Sequence, residues 1–282
     1  MKFCNAKALV EKAWKEGYAV PAFNSNGGTY DIARAAIEAA EEMRSPLILQ
    51  TYEPNVAYRG FEYCALQAKH LAEDVTIPIA LHLDHGMSMD SVMRAVDAGY
   101  TSVMIDGSHL PLDENIAVTR QVIEAVRPLG VTVEAEVGHV AGGAHSSGHG
   151  DCTDPAEALK LVEATGVDML AAANGTQHGI FDVQDQADLE LVRKLRDMLP
   201  VPLVQHGTCG IPLDLLSKLA QAGMAKINFG EGFRSNYITY FKEYADTLDH
   251  KGHPWKIMQA IKDRLKADMK ELIVALGSAG KA

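Results

Sequence analysis

Short apolar runs alternate with segments of helical period along almost the whole chain. Residues 18–23 read as a strand. Residues 29–43 follow as a helix, with Thr29 as N-cap and Ile32, Ala35, Ala36, Ala39 and Ala40 on one face. The alternation then repeats. Strand 46–50 leads to helix 60–73, strand 77–83 to a helix running from the cap Ser88 to residue 98, and strand 101–105 to helix 113–127. Strand 131–137 precedes a helix opened by Thr153-Asp154-Pro155, where proline occupies a tolerated first-turn position. Strands 169–173, 201–205 and 225–229 complete the set, with helical segments between them.

Strands separated by helices run parallel, because the crossover returns the chain in the same direction. Eight such units predict an α/β fold of the (β/α)8 TIM-barrel type, whose typical length is ~250 residues. The chain has 282, and residues 1–282 read as one barrel domain with no linker or low-complexity segment. The surplus is a C-terminal helical extension over about 254–276. Its apolar face (Ile257, Ile261, Leu265, Met269, Leu272, Ile273) needs cover, from the barrel's own flank or from a second copy in a homodimer or homotetramer. Residues 138–151 (GHVAGGAHSSGHGD) have no periodicity and follow the fifth strand. They predict a lid over the barrel's C-terminal face, with His145 and His149 as its candidate functional residues.

Composition narrows the partners. Lys and Arg total 26 against 37 Asp and Glu, a formal net charge of −11. With no basic stripe to offset it, such a surface repels nucleic-acid phosphates and anionic membrane headgroups. No apolar run approaches the ~18 residues of a transmembrane helix. Lys2, Lys7, Glu11 and Lys12 interrupt any signal-peptide core. Four scattered cysteines (Cys4, Cys64, Cys152, Cys209) without a C-x-x-C fit reduced thiols in a cytoplasmic protein.

The polar residues are placed informatively. Nearly every strand ends, on its C-terminal side, in a residue able to do chemistry: Asn24, Asp84-His85, Asp106, Glu136, Asn174 with His178 just after it, His206 and Asn228. Barrel enzymes assemble their sites from that face. His85, His178 and His206 are each followed by glycine, and three imidazoles with an open fourth position are a usual catalytic zinc arrangement. Taken singly, each is more readily a hydrogen-bonded polar residue at a strand end; the three together favour ligation. His82, two before Asp84, reads as inward-facing and structural. Asp106 and Glu136 either orient imidazoles or offer a second metal position. The glycine-rich turns 206–210 and 226–232 feed helix N-termini after strands seven and eight, the usual place for a barrel phosphate site.

The segments PAFN (21–24), LHLDHG (81–86), SVMIDGSHLP (102–111), EAEVG (134–138), QHG (177–179), PLVQHG (202–207) and KIN (226–228) occur in an order that carries a family likeness. Over almost its whole length the chain resembles the class II, metal-dependent ketose-bisphosphate aldolases of the fructose- and tagatose-bisphosphate type. The resemblance implies reversible retro-aldol cleavage of a ketose or ketose (bis)phosphate to a dihydroxyacetone (phosphate)-type donor and an aldehyde. It implies one Zn2+ per chain on His85, His178 and His206, with Asp84 as the acid/base beside it and a monovalent cation as a further candidate cofactor. Asp106 and Glu136 match acidic residues near the metal that can serve as the second position. Asn24 and Asn228 match contacts to substrate hydroxyls. Gly179, Gly207, Thr208, Cys209 and Gly210 match the phosphate loop, with Gly230 and Glu231 on its strand-eight side. The chemistry agrees, since no strand-end lysine except Lys226, which precedes the site, offers a Schiff base. A metal must then take the charge of the enediolate, while Asp84 moves the proton of the cleaved carbinol.

Three departures from the family bear on the substrate. Gly142-Gly143 is followed by Ala144 and His145, where the family carries acidic residues. Cys209 stands in place of a phosphate-loop serine and is a much weaker donor. Glu231 stands in place of a threonine, and a carboxylate ~5 Å from a phosphate costs about 3 kcal/mol per charge pair at an effective dielectric of ~20. Open beside the main reading are an aldolase for an unphosphorylated ketose, a sugar-binding member without turnover, and a zinc hydrolase. Against the hydrolase, the early strands offer Asn24 and Thr51 and no H-x-H pair.

Overall fold

Successive residues of a strand face opposite ways, and in this chain one set packs on helices while the other fills a barrel. The computed structural model describes residues 3–138, 140, 152–247 and 252–282. The chain begins with α1 (Ala6–Glu16), β1 (Val20–Asn24), α2 (Tyr30–Glu42), β2 (Leu47–Tyr52), α3 (Glu53–Val56) and α4 (Phe61–Leu71). It continues with β3 (Ile79–Gly86), α5 (Met89–Ala98), β4 (Ser102–Ile105), α6 (Leu112–Val126), β5 (Thr132–Val137) and α7 (Pro155–Thr165). Then come β6 (Met169–Ala172), α8 (Leu189–Met198), β7 (Leu203–Gln205), α9 (Leu213–Ala222), β8 (Met224–Phe229), α10 (Glu231–Ala245) and α11 (Pro254–Ala275). The strands pair in parallel in sequence order and β8 pairs with β1, so the sheet closes as the predicted TIM barrel. The largest displacement of a predicted strand end is at β3, which runs on to Gly86.

The eightfold pattern has no place for α1. Asn5 caps it, with Oδ1 accepting from the Lys7 N–H at 2.8 Å, and Gly17 at φ 70° ends it. Its buried face (Ala6, Val10, Ala13) plugs the N-terminal mouth against inward residues such as Val20, Ala22, Ile48, Ala80 and Val204. Immediately above this apolar plug the inward positions turn polar: Asn24 follows Ala22, His82 and Asp84 follow Ala80, and His206 follows Val204. These groups are buried and must satisfy one another. The outward set, including Leu47, Leu49, Leu81, Leu83 and Ile227, packs with the helices in one continuous core. Each such side chain contributes ~1.5–3 kcal/mol on burial.

α11 is covered by the barrel's own flank. Ile261, Leu265, Met269 and Ile273 are buried in the core that also holds Ile37 of α2. Lys262 Nζ reaches Glu38 Oε2 at 2.6 Å and Lys266 Nζ reaches Glu42 Oε1 at 2.8 Å, tying α11 to α2. The lid expected at 138–151, with His145 and His149, lies outside the described residues apart from Gly138 and Val140. Among the described residues no helix is long and apolar enough to cross a membrane.

Candidate metal centre and active site

Strict alternation along β3 would turn Asp84 inward and His85 outward. The structure breaks the alternation there. His85 has φ 52°, in the left-handed region, and the pairing of β3 with β4 shifts register between Leu83 and Gly86. An irregularity of this kind re-aims a side chain, and both Asp84 and His85 line one cavity. A non-glycine residue held in that region stores strain of order 1–3 kcal/mol, which the surrounding packing must outweigh. Gly86 is required next, because a Cβ on it would stand 2.4 Å from the Met104 carbonyl oxygen. Gly207, at φ 63°, answers a similar need behind His206. A Cβ there would lie 2.6 Å from the Gln177 carbonyl carbon, so its absence lets the segment bearing His178 close against the end of β7.

Three imidazoles meet as a result. Their ring centroids are 4.7 Å apart for His85 and His206, 5.3 Å for His85 and His178, and 5.8 Å for His178 and His206. Each ring is held from behind by a carboxylate. His85 Nδ1 lies 2.7 Å from Asp106 Oδ2, His206 Nε2 lies 2.9 Å from Glu134 Oε1, and His178 Nδ1 lies 3.1 Å from Glu231 Oε1. A carboxylate accepts, so the nitrogen facing it carries the proton and the opposite nitrogen presents a lone pair. Of those opposite nitrogens, His178 Nε2 and His206 Nδ1 are buried without a partner. Glu136 Oε2 is likewise unpartnered, 3.3 Å from His206 Nδ1 but without hydrogen-bond geometry. Each orphaned buried atom costs about 1–3 kcal/mol, and a cation between the rings would satisfy the two imidazole nitrogens. The ligand atoms of His85, His178 and His206 lie within 4.8 Å of one another, as do those of His85, Asp106 and Glu136. The residues present therefore fit a bound metal ion, with three neutral imidazoles as the nitrogen donors.

The electrostatics favour positive charge in this space. Burial opposes charge on His85, yet the Asp84 and Asp106 carboxylates outweigh it and its pKa is pushed up to about 10. Burial also opposes charge on His206, and its contacts with Glu134 and Glu136 push it up to about 9. Burial likewise works against the charge on Glu134 and Asp106, but Lys226 and His85 respectively hold them well below the usual carboxylate range. Carboxylates that stabilise a positive charge on these rings equally favour a metal cation, and binding one displaces the proton from the nitrogen opposite the backing carboxylate.

Asp84 stands beside His85 with one oxygen taken by Asn24 Nδ2 and the other by Asn228 Nδ2, both at 3.1 Å. Below them Lys226 Nζ lies 2.7 Å from Asn228 Oδ1 and 2.9 Å from Glu134 Oε2. The ammonium fixes the Asn228 amide with its oxygen down, so that its NH2 faces Asp84. A single chain of contacts thus runs from Asp84 through Asn228, Lys226 and Glu134 to His206. His82 completes this floor, with Nδ1 2.7 Å from Ser102 Oγ. Glu134 sits mid-strand and carries no role in the sequence; its signals are its place two residues before Glu136, on the same face of the strand, and a lysine two residues before a strand-end asparagine.

The cavity above measures about 330 Å³. Asn24, Asp84, His85, Asp106, Glu136, His178, Gly179, Gly207, Asn228, Gly230 and Glu231 all line it. Thr208, Cys209 and Gly210 do not border it. The Thr208 hydroxyl donates to the Asn228 carbonyl, and the Cys209 carbonyl accepts from Gln184 Nε2 at 2.7 Å. Asn26, Gln50, Tyr52, Asn55 and Arg234 join the lining without having been marked by sequence: Gln50 and Tyr52 lie at the end of β2, whereas Asn26, Asn55 and Arg234 lie beyond the strand ends in a turn, in α3 and in α10.

Over residues 4–281 the chain matches the family described as fructose-bisphosphate aldolase class-II. It is 37% identical over 290 residues to the 6-phospho-5-dehydro-2-deoxy-D-gluconate aldolase of Bacillus subtilis (strain 168), covering 100% of this chain and 98% of that one. It is also 37% identical over 291 residues to the fructose-bisphosphate aldolase of Geobacillus stearothermophilus, covering 100% and 99%. The crystal structure of the YdjI aldolase from Escherichia coli K12 matches with a TM-score of 0.88 at 31% identity, covering 99% of each chain.

Proposed function

The chain belongs to the class II fructose-bisphosphate aldolase family and is an aldolase, and from that premise we propose a zinc-dependent retro-aldol reaction on a ketose at the centre formed by His85, His178 and His206. The observation that carries this reading is the set of three imidazoles, each backed by a carboxylate and each turning its other nitrogen to a common space. The three histidines would hold the zinc, which when bound would supply Lewis-acid chemistry at the site.

Asp84 removes the proton from the hydroxyl of the carbinol carbon, and returns it in the condensation direction. The electron pair of the broken C–C bond stays with the fragment that keeps the carbonyl, and the carbinol carbon leaves as an aldehyde. Asn24 and Asn228 keep the Asp84 carboxylate turned to the cavity through one hydrogen bond each, and stand beside the substrate's hydroxyls. Asp106, Glu134 and Glu231 orient the three ligand rings, and such outer partners commonly contribute 10–100-fold to metal affinity.

Two variants test the roles separately. Asp84→Ala should keep its metal and lose C–C cleavage by ~10²–10⁴-fold, whereas His206→Ala should lose metal and cleavage together. Elemental analysis is read beside aldehyde release from a panel of phosphorylated and unphosphorylated ketoses. An Asp84→Ala enzyme that cleaves normally, or a His206→Ala enzyme with stoichiometric zinc and wild-type activity, refutes the assignment.

A further inference from the structure

α10 starts at Glu231, in the wall of the cavity. The first turn of a helix presents unpaired backbone N–H groups and a partial positive charge, which suit an anion. Here the chain supplies the anion itself. The Glu231 side chain is 25% exposed and turned inward, with Oε1 3.1 Å from His178 Nδ1. The other nitrogen of that ring, Nε2, is buried and unpartnered on the metal side. Swinging Glu231 out to solvent would strip His178 Nδ1–H of its acceptor, so the carboxylate is held where it is. The cavity wall carries three further carboxylates, Asp84, Asp106 and Glu136. Among the described residues its one guanidinium is Arg234, exposed one turn further along α10. The neighbouring turn adds no side-chain donor to the wall, since Thr208, Cys209 and Gly210 do not border the cavity and the Thr208 hydroxyl is spent on the Asn228 carbonyl.

We propose, on the basis of the aldolase reading above, that Glu231 makes this end of the cavity a subsite for an uncharged hydroxyl terminus. The donor end of the substrate is then the free CH2OH of a ketose, and a phosphate dianion is rejected there. A hydroxyl donates to the fixed carboxylate and gains a charge-assisted hydrogen bond. A phosphate monoester is mainly a dianion at neutral pH, offers only acceptor oxygens in that form, and meets an anion in place of a donor. Glu231 therefore holds a ligand ring and selects the substrate with the same side chain.

Calorimetric binding of dihydroxyacetone and of dihydroxyacetone phosphate to zinc-loaded wild type and Glu231→Gln tests this, with metal content measured in each protein. Glutamine keeps an acceptor oxygen for His178, removes the charge and puts an amide donor in place of the second carboxylate oxygen. Wild type should bind dihydroxyacetone phosphate no more tightly than dihydroxyacetone, and Glu231→Gln should retain its metal and gain at least about tenfold in affinity for the phosphate. Wild type preferring the phosphate by more than tenfold overturns the proposal, as does a variant that keeps its metal with the preference unchanged, or no binding of either probe by either protein. Should the variant shed its metal, kcat/KM of wild type for each ketose against its 1-phosphate decides the matter, the proposal requiring the free ketose to be preferred. The aldolase reading itself fails elsewhere, in the metal and cleavage measurements on Asp84→Ala and His206→Ala.

Discussion

Glu134 and Lys226 form a charge pair sealed inside the barrel, both side chains 0% exposed and Nζ 2.9 Å from Oε2. At an effective dielectric of ~20 two unit charges at this separation attract by about 6 kcal/mol. Against that stands the desolvation of both ions, several kcal/mol each. The pair is thus a small difference of large terms, and the consequence of removing one partner is much larger than that of removing both. Lys226→Met leaves the Glu134 carboxylate buried with His206 as a hydrogen-bond partner and His82 Nε2 at 3.6 Å; Glu134→Gln leaves the ammonium with the Asn228 oxygen. Each single variant should lose about 3–5 kcal/mol. The double variant buries no stranded charge, and should fall short of the sum of the singles by at least about 3 kcal/mol. Guanidinium unfolding with a chelator present measures all four proteins as apoproteins, so that metal loss does not enter. In a thermal scan each kcal/mol corresponds to about 2 °C for a chain of this size. Losses that add within ~0.5 kcal/mol would show that the two side chains do not interact, and the account of the barrel floor would be wrong.

Gly207→Ala places a Cβ 2.6 Å from the Gln177 carbonyl carbon at a φ of 63°, which costs roughly 1–2 kcal/mol from the backbone alone. The His178 segment must then move off β7, and zinc affinity in chelator competition should drop at least about tenfold; unchanged affinity would contradict the close approach. Glu38 is worked against by burial, yet its hydrogen bonds with Lys262 and Arg34 hold its pKa below the ordinary 4.5. A depressed carboxylate stabilises the fold above its unfolded pKa and loses that contribution as pH falls through the folded value. Glu38→Gln should therefore lower stability by about 1–2 kcal/mol at pH 7, a discounted figure for a partly exposed pair, with the gap closing as the pH drops below 4.5. A gap that stays constant into acid would exclude the α2–α11 ion pair as its source.

The eight strands, their parallel sense and the end of the barrel at which the chemistry gathers can all be read before any coordinate is known. These follow from local periodicity and from residue type at strand ends, which a single pass along the chain can read. The same pass picks out which three histidines stand together, because strand ends three, six and seven share one rim. Other features exist only in the folded chain. α1 gave no strand-like signal, and its place as a plug exists only once eight inward faces define a hole of the right size. Asp84 and His85 serve one cavity only because the chain takes a left-handed step at His85, a conformation that adjacent packing enforces and no propensity announces. Glu134 and Lys226 are 92 residues apart, and Asn228 and Asp84 are 144 apart. Glu134 and Lys226 look in sequence like mid-strand polar residues, and Asp84 and Asn228 like strand-end residues of separate strands, with nothing in the sequence to pair them. Barrel closure alone brings them within hydrogen-bond reach, and burial then makes the pairing obligatory. The direction of Glu231 is of the same kind. Its position suits a solvent-facing helix start and an inward partner for His178 equally well, and the unmet N–H of a ring 53 residues away turns it inward.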